Sequence, residues 1–268
     1  MMKIGFMLWS ISQYIKSKGS LEQVLLELRE MGLDGIEITE STLRQVGSKE
    51  FKDVADSVGL EVCAFDVICD LVTRDPIQRG KVVDDVERSM ELAASLGCTR
   101  VLIVPGLVQP GLTPKHTREI IAEGLKDCVE RADKLGIVPM IEDFGMPNTP
   151  FSTSAEILEV LDMVGEGLKV TFDTGNFLIG DEDPVEALEV LSSYVSHVHI
   201  KDMKSGIGKL RSYSGKAYKT VGIGEGEVDF KTILGKLKKE GYNGYLSLEV
   251  GTNDDEIKRG IRHIKDNM

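Results

Sequence analysis

The chain is poor in cysteine, in basic residues and in long apolar runs. Its 268 residues include four cysteines, and no two of them form a CxxC pair. The sequence therefore carries neither a zinc ribbon nor a thioredoxin-like redox motif. Cys63 and Cys98 lie in or beside predicted strands and are expected to be small buried apolar groups. The absence of a disulfide pattern fits a reducing compartment. We expect a cytoplasmic protein.

No apolar run approaches the roughly 18 residues that a membrane-spanning helix needs. The N-terminal segment MMKIGFMLWS is too short for a signal peptide or a span. Lysine and arginine number 32 against 44 acidic residues, which gives a net charge of -12. Since phosphate binding draws on clustered basic residues, this balance argues against nucleic acid as the main partner. We expect neither a membrane nor a nucleic-acid partner.

What the chain does contain is a weak internal repeat, in which a helix ends, a glycine follows and an apolar strand begins. The glycines of this repeat are Gly32, Gly59, Gly97, Gly136 and Gly241. Glycine readily adopts the left-handed conformation that commonly ends a helix. Intervals of about 27 to 39 residues between the first four match one βα unit. The last interval has room for three units.

Apolar patterning predicts eight strands that alternate with eight helices. The strands are expected near residues 3–8, 35–39, 62–67, 100–105, 138–143, 168–173, 196–201 and 244–249. The helices are expected near residues 20–31, 48–58, 77–96, 116–135, 154–164, 184–193, 229–240 and 254–266. This order predicts one (β/α)8 TIM barrel domain over residues 1–268, with an open doubly wound sheet as the alternative. The Gly-, Lys- and Ser-rich stretch 203–228 is expected to be an irregular loop.

Four of the predicted strands end on residues that commonly bind metals, namely Glu142, Asp173, His199 and Glu249. Such side chains are costly on a strand buried on both faces unless they have partners. The carboxyl ends of barrel strands meet at the face that carries barrel active sites. Three carboxylates and an imidazole there predict one divalent cation, Mn²⁺, Mg²⁺, Co²⁺ or Zn²⁺. The alternative is that each residue merely ends a strand at the solvent boundary.

This set of ligands predicts carbon-acid chemistry on a small molecule. A divalent cation can hold two adjacent oxygens of a hydroxy-ketone and stabilise the enediolate formed when a carbon-bound proton leaves. Two of the carboxylates could face each other across the substrate. One would then remove the proton and the other would return it.

Other polar residues fall on the strand that carries His199. His197 precedes it by two residues, so it lies on the same strand face one layer lower and is expected to pack there. Lys201 continues the series upward and is a candidate for contact with a substrate oxygen or with a carboxylate. Asp202 is expected to point outward in a structural role.

Three further candidates for substrate contact lie on or after the first three strands. Glu37, in GIEIT, is either a substrate contact or one half of a buried ion pair. Trp9 is the only tryptophan and could stack on a sugar, although a lone tryptophan commonly serves in packing. Asp66 is a possible polar wall. The glycine-rich GIGEGE at 222–227 lacks the context of a nucleotide site but could help contact a phosphate.

Five motifs make the chain resemble the xylose isomerase-like TIM barrels, or sugar phosphate isomerases/epimerases. They are IED at 141–143, FDTGN at 172–176, HVHIKD at 197–202, VGIGEGEVDF at 221–230 and GYNGYLSLEV at 241–250. The resemblance runs over nearly the whole chain. This group contains inosose dehydratases and isomerases, hydroxypyruvate isomerases, ketose 3-epimerases and endonuclease IV.

The resemblance implies that Glu142, Asp173, His199 and Glu249 form the single-metal set of this family. It also implies that Glu142 and Glu249 act as the acid/base pair, as in the epimerases. The nuclease members need further histidines where this chain reads AFDVICD, VLIVPG and DTGN. Asn176 stands at the last of these positions, either to bind a sugar hydroxyl or to cap its loop. A trinuclear zinc site is therefore not expected.

We expect a metal-dependent isomerase or epimerase of a small sugar, polyol or hydroxy-keto compound, working in carbohydrate metabolism. A dehydratase of an inosose-like substrate would share the first proton transfer and is the alternative. An abasic-site nuclease and a non-catalytic ligand-binding barrel are less favoured alternatives. The expected partner is a small sugar-like molecule. A homo-oligomer is an open alternative to a monomer, because family members often form dimers or tetramers.

Overall fold

The computed structural model describes residues 1–9, 11–146, 148–251 and 253–268. In these ranges the strands are β1 (Lys3–Leu8), β2 (Gly35–Thr39), β3 (Glu61–Ile68), β4 (Arg100–Val104), β5 (Val138–Glu142), β6 (Lys169–Asp173), β7 (Val195–Ile200), β8 (Asp202–Arg211), β9 (Ala217–Val221) and β10 (Tyr245–Leu248). The helices are α1 (Ile11–Lys18), α2 (Leu21–Glu30), α3 (Glu40–Leu43), α4 (Ser48–Val58), α5 (Pro76–Ser95), α6 (Pro114–Leu135), α7 (Ser154–Val164), α8 (Pro184–Leu191), α9 (Phe230–Lys239) and α10 (Asp254–Asn267).

Eight parallel strands close into a barrel in the order β1-β10-β7-β6-β5-β4-β3-β2. The first strand pairs with β2 on one side and with β10 on the other, so the sheet has no edge there. The prediction of a (β/α)8 TIM barrel is confirmed, and the alternative of an open doubly wound sheet is wrong. A large apolar core, with members such as Leu25 and Phe172, packs the helices onto the barrel.

The ends of the helices are set by capping residues and glycines that can be recognised in the sequence. The Thr153 hydroxyl caps α7 by accepting a hydrogen bond from the Glu156 N–H. Gly59 and Gly136 follow α4 and α6 with φ values of 74° and 65°. At these two positions a side chain would be strained, so glycine ends the helix and turns the chain into the next strand.

The prediction that the stretch 203–228 is an irregular loop is wrong for part of its length. β8 and β9 form an antiparallel hairpin that pairs Met203 with Thr220. The hairpin is stabilised by a small apolar cluster in which Met203 and Tyr218 pack against Ile179. This pairing could not be predicted from the sequence. The segment is rich in glycine and lysine, and the contacts that stabilise the hairpin are not local in the sequence. The short helices α1 and α3 were also absent from the prediction.

The carboxylate of Asp202 organises the glycine-rich segment after the hairpin. It accepts hydrogen bonds from the N–H groups of Gly224 (2.9 Å), Gly226 (2.8 Å) and Val228 (3.3 Å). Asp202 therefore has the structural role that was expected. The amides that were candidates for contact with a phosphate are instead bound to this carboxylate.

Replacing Asp202 with alanine is expected to lower the free energy of unfolding by about 1–3 kcal/mol, because buried N–H groups lose their acceptor. Asp202→Asn keeps one acceptor oxygen and should cost less. Chemical denaturation of the two variants and the parent protein measures the difference. Equal stability of the alanine variant and the parent would contradict this role.

Within the described part of the chain, no helix combines the length and the apolar character required to cross a membrane.

Candidate metal centre and active site

The four strand-end residues meet at the carboxyl end of the barrel. Glu142 ends β5, Asp173 ends β6, His199 lies near the end of β7 and Glu249 follows β10. Asp173 and His199 are paired in register, so they lie at one height. One potential ligand atom from each of the four lies within 4.8 Å of the others. The structure thus brings together the residues that the pattern selected.

Asp173 has one oxygen fixed by the backbone and one that faces the centre. Its Oδ1 accepts hydrogen bonds from the N–H groups of Gly175 (2.7 Å) and Asn176 (2.8 Å). Its Oδ2 accepts no hydrogen bond, although Lys201 Nζ lies 3.1 Å away. Burial opposes the charge, but Lys201 and then His199 outweigh it and hold the pKa of Asp173 below its usual value. The carboxylate is therefore charged.

The ammonium group of Lys201 lies among the carboxylates. Its Nζ is 2.7 Å from Glu249 Oε2 and donates a hydrogen bond to Asn176 Oδ1 at 3.0 Å. Of the two contacts considered from the sequence, the structure makes the one with carboxylates. Burial disfavours the charged amine, yet Asp173 and Glu249 raise the pKa of Lys201 above its usual value. A positive charge is thus already stabilised here.

Asn176 has both ends of its side-chain amide engaged. Its Nδ2 donates a hydrogen bond to the Asp143 carbonyl at 2.8 Å, and its Oδ1 accepts from Lys201. This arrangement favours the loop-fixing alternative over recognition of a sugar hydroxyl, although the residue does line the cavity.

The donor set fits a divalent cation. Three carboxylates and one imidazole are ligands that Mn²⁺, Mg²⁺, Co²⁺ and Zn²⁺ accept. Oδ2 of Asp173 is a buried anionic atom that accepts no hydrogen bond and has the Lys201 ammonium beside it, so a bound cation could also contact it. The short distances between the potential ligand atoms are consistent with one ion.

Glu37 lies behind His199 and links it to His197. Its two oxygens contact His199 Nε2 at 2.9 Å and His197 Nε2 at 3.0 Å. The other nitrogen of His199, Nδ1, lies 2.5 Å from Glu142 Oε1. Glu37 therefore fixes the ring of His199 so that Nδ1 faces the centre.

Glu37 is completely buried and is not among the residues that line the cavity. Of the two predicted roles, the structure shows the buried contacts with two histidines, and contact with a substrate stays a prediction. Although Glu37, His197 and His199 also group closely enough for a metal, their facing atoms are joined by hydrogen bonds. His197 packs one layer down, as expected, and its Nδ1 has no partner.

Charges in this network depend on one another. Burial opposes a proton on His199, but Glu37 and Glu142 outweigh burial and raise its pKa well above the usual value. Burial also opposes the charge on Glu37, yet His199 and His197 hold its pKa well below the usual value. Burial raises the pKa of Glu249 to about 7, against the lowering effect of Lys201. Glu249 is thus poised to hold or release a proton near neutral pH.

A cavity of about 300 Å³ opens above these residues. Trp9, Asp66, Asn176 and Lys201, all selected from the sequence, line it. Asp66 is buried, and its Oδ1 has no hydrogen-bond partner. Burial and then Glu37 raise the pKa of Asp66 well above its usual value.

Asp143 was missed as a site residue. It is fully buried, and its Oδ1 accepts a hydrogen bond from the Asp173 N–H at 3.3 Å. Burial, followed by Asp173 and Glu142, raises the pKa of Asp143 well above its usual value. Its position directly after Glu142 in IED was the signal that could have identified it.

The closed barrel with polar groups gathered at its carboxyl end defines a TIM barrel with a candidate metal centre. The chain belongs to the xylose isomerase-like TIM barrel family, whose model matches residues 25–267. The family assignment made from the motifs is confirmed.

Comparison with known proteins shows what the chain is similar to. The rhizopine catabolism protein MocC of Rhizobium meliloti is 27% identical over 249 residues, which cover 86% of this chain and 74% of MocC. A D-allulose 3-epimerase from Methylomonas sp., in complex with D-allulose, has a TM-score of 0.79 at 18% identity, covering 100% of this chain and 97% of the other. The IOLI protein with a bound zinc atom has a TM-score of 0.74 at 18% identity, covering 99% and 96%. The last two likenesses concern the fold alone.

Proposed function

We propose that the protein is a divalent-metal-dependent isomerase or epimerase of a small sugar, polyol or hydroxy-keto compound. The observation that carries this proposal is the cluster of three carboxylates and one imidazole, with ligand atoms within 4.8 Å of one another, under a cavity. The D-allulose 3-epimerase shares the fold that would carry this chemistry.

Glu142, Asp173, His199 and Glu249 would hold the cation. When bound, it would supply a positive charge that orients two adjacent substrate oxygens and stabilises the negative charge developing as a proton leaves carbon. Neighbouring groups of the protein hold the metal ligands in position. Asp173 is fixed by two backbone N–H groups, and His199 by Glu37, so both are preorganised for binding.

Glu142 and Glu249 are the groups that would move the proton. Both line the cavity, on strands at either side of the pair that carries Asp173 and His199. In the metal-free protein, burial raises the pKa of Glu249 to about 7. A bound cation would lower this pKa and favour the carboxylate, which is the form that removes a proton. Burial raises the pKa of Glu142, although its contact with His199 opposes this effect. Two carboxyl groups in such positions suit removal and return of a proton at one carbon.

The proposal is tested by proton NMR in D₂O with the protein loaded in turn with Mn²⁺, Mg²⁺, Co²⁺ or Zn²⁺. A panel of ketoses, inososes and hydroxypyruvate serves as substrates. We expect deuterium to enter the carbon next to a carbonyl, with a change of configuration or carbonyl position and no loss of water. Loss of a β-hydroxyl would instead identify a dehydratase. No exchange with any metal and any panel member would contradict the proposal, and protein treated with a chelator is the control.

A further inference from the structure

The walls of the cavity divide into two unlike halves. The ionic half comes from β5, β7 and the end of β10, through Glu142, His199, Lys201 and Glu249. The apolar half is built chiefly by Ile68, Leu102, Val104, Phe144 and Met146. In the barrel order, β3 and β4 lie across the ring from β7 and β10, although Asp66 is a carboxyl group on β3 and Met203 and Leu210 are apolar lining residues on the side of Lys201. One end of a bound molecule would thus meet charges while the other meets hydrocarbon.

The apolar half continues outward to the rim. Ile68 is 70% exposed, Trp9 50% and Met146 48%. All three line the cavity mouth. Single exposed apolar side chains scattered over a surface are common. When several are grouped at the mouth of a cavity, they commonly mark a binding surface. An apolar substituent of a ligand would remove this surface from water.

The lining offers no free positive charge among the described residues. Lys201 is the one lysine or arginine in that described lining, and Asp173 and Glu249 already pair with it. Arg44 borders an adjoining depression beside Ile68, where it pairs with Glu40, and lies outside the lining. The proposed cation lies at Glu142 and Glu249, so a phosphate or carboxylate at the far end of the cavity would have no lysine or arginine partner among the described lining residues.

We propose that the substrate is an uncharged hydroxy-ketone whose far end is apolar, such as a terminally deoxygenated or alkyl-substituted ketose. The hydroxy-ketone lies on the ionic half, and the apolar end lies between Ile68 and Phe144. This inference rests on the proposed function, because that function places the reacting carbons beside Glu142 and Glu249.

Three compounds that differ at one carbon test the inference, namely a ketohexose, its 6-deoxy form and its 6-phosphate. Binding to the metal-loaded protein is measured by calorimetry, and deuterium exchange is measured separately. The 6-deoxy form should bind roughly tenfold more tightly than the parent sugar, as expected for an apolar group entering an apolar pocket. The 6-phosphate should bind the most weakly.

Ile68→Ser should shrink the preference for the 6-deoxy form, because it replaces an apolar wall residue that is too exposed to matter for folding. Ile207→Ser is the matched control, since Ile207 is also exposed but lies on the hairpin outside the lining. Tightest binding by the 6-phosphate or the parent sugar, equal binding of all three, or no binding of any overturns the inference. Binding in the expected order without exchange would instead contradict the proposed function.

Discussion

Replacing Glu142 with glutamine is expected to reduce turnover by roughly 10²–10⁴-fold, the loss typical of removing a positioned acid–base group. The amide keeps the shape of the side chain but cannot take up or give the proton. Since Glu142 also belongs to the candidate ligand set, metal content must be measured and turnover compared at saturating metal. Initial rates on any substrate found by NMR provide the measurement.

Glu249→Gln is the companion variant, because Glu249 is the other carboxyl group proposed to carry the proton. If the protein is an epimerase, each single variant should still exchange deuterium into one epimer while failing to interconvert the two. Glu166→Gln, at an exposed position after α7, is the control and should be fully active. Retention of more than a tenth of the turnover by metal-loaded Glu142→Gln would contradict the assigned role.

Replacing Glu37 with glutamine is expected to weaken metal binding by about 10–100-fold, although Glu37 is not itself in the proposed ligand set. The carboxylate fixes the ring of His199 from behind and makes it a better donor. A neutral amide keeps at most a weaker hydrogen bond. Isothermal titration of the metal-free variant with Mn²⁺ or Zn²⁺ measures the change in affinity.

The pKa of His199 provides a second measurement on the Glu37 variant. Glu37 is the leading influence that raises this pKa against burial, so the pKa should fall when its charge is removed. Imidazole NMR of the metal-free protein reports it. Glu61→Gln is the control, because Glu61 binds Lys3 and Tyr245 at the amino end of β3, far from the centre. Unchanged metal affinity in Glu37→Gln would show that Glu37 does not position His199 for metal binding.

The barrel could be predicted because its signals are local and repeated. Most βα units carry an apolar strand, an amphipathic helix and a glycine such as Gly59 or Gly136 at the turn. Closure of the sheet followed from the number of units. The hairpin was not predicted, because the pairing between Met203 and Thr220 joins residues that are distant in a polar and glycine-rich segment. The short helix α3 is a single turn and has no periodic pattern to detect.

The strand-end residues of the candidate site could be predicted from the sequence, whereas the contacts behind them could not be assigned. Strand ends are marked in the sequence, so Glu142, Asp173 and His199 could be placed at one face. Glu37 and His197 are separated by 160 positions along the chain, and only the closed barrel brings them into contact. From the sequence, the contacts of Glu37 and Lys201 could be stated only as alternatives, and their partners could be identified only in three dimensions.

The hairpin of β8 and β9 has a consequence for how this protein can diversify. Its strands pair with each other rather than with the barrel, yet Leu210 and Thr220 reach the cavity wall. One continuous segment could therefore be exchanged between relatives without breaking a hydrogen bond of the barrel sheet. Such a transplant would change which molecules fit above the carboxylates while the chemistry beneath stays the same. Laboratory recombination at the two ends of this segment is a natural route to altered substrate range.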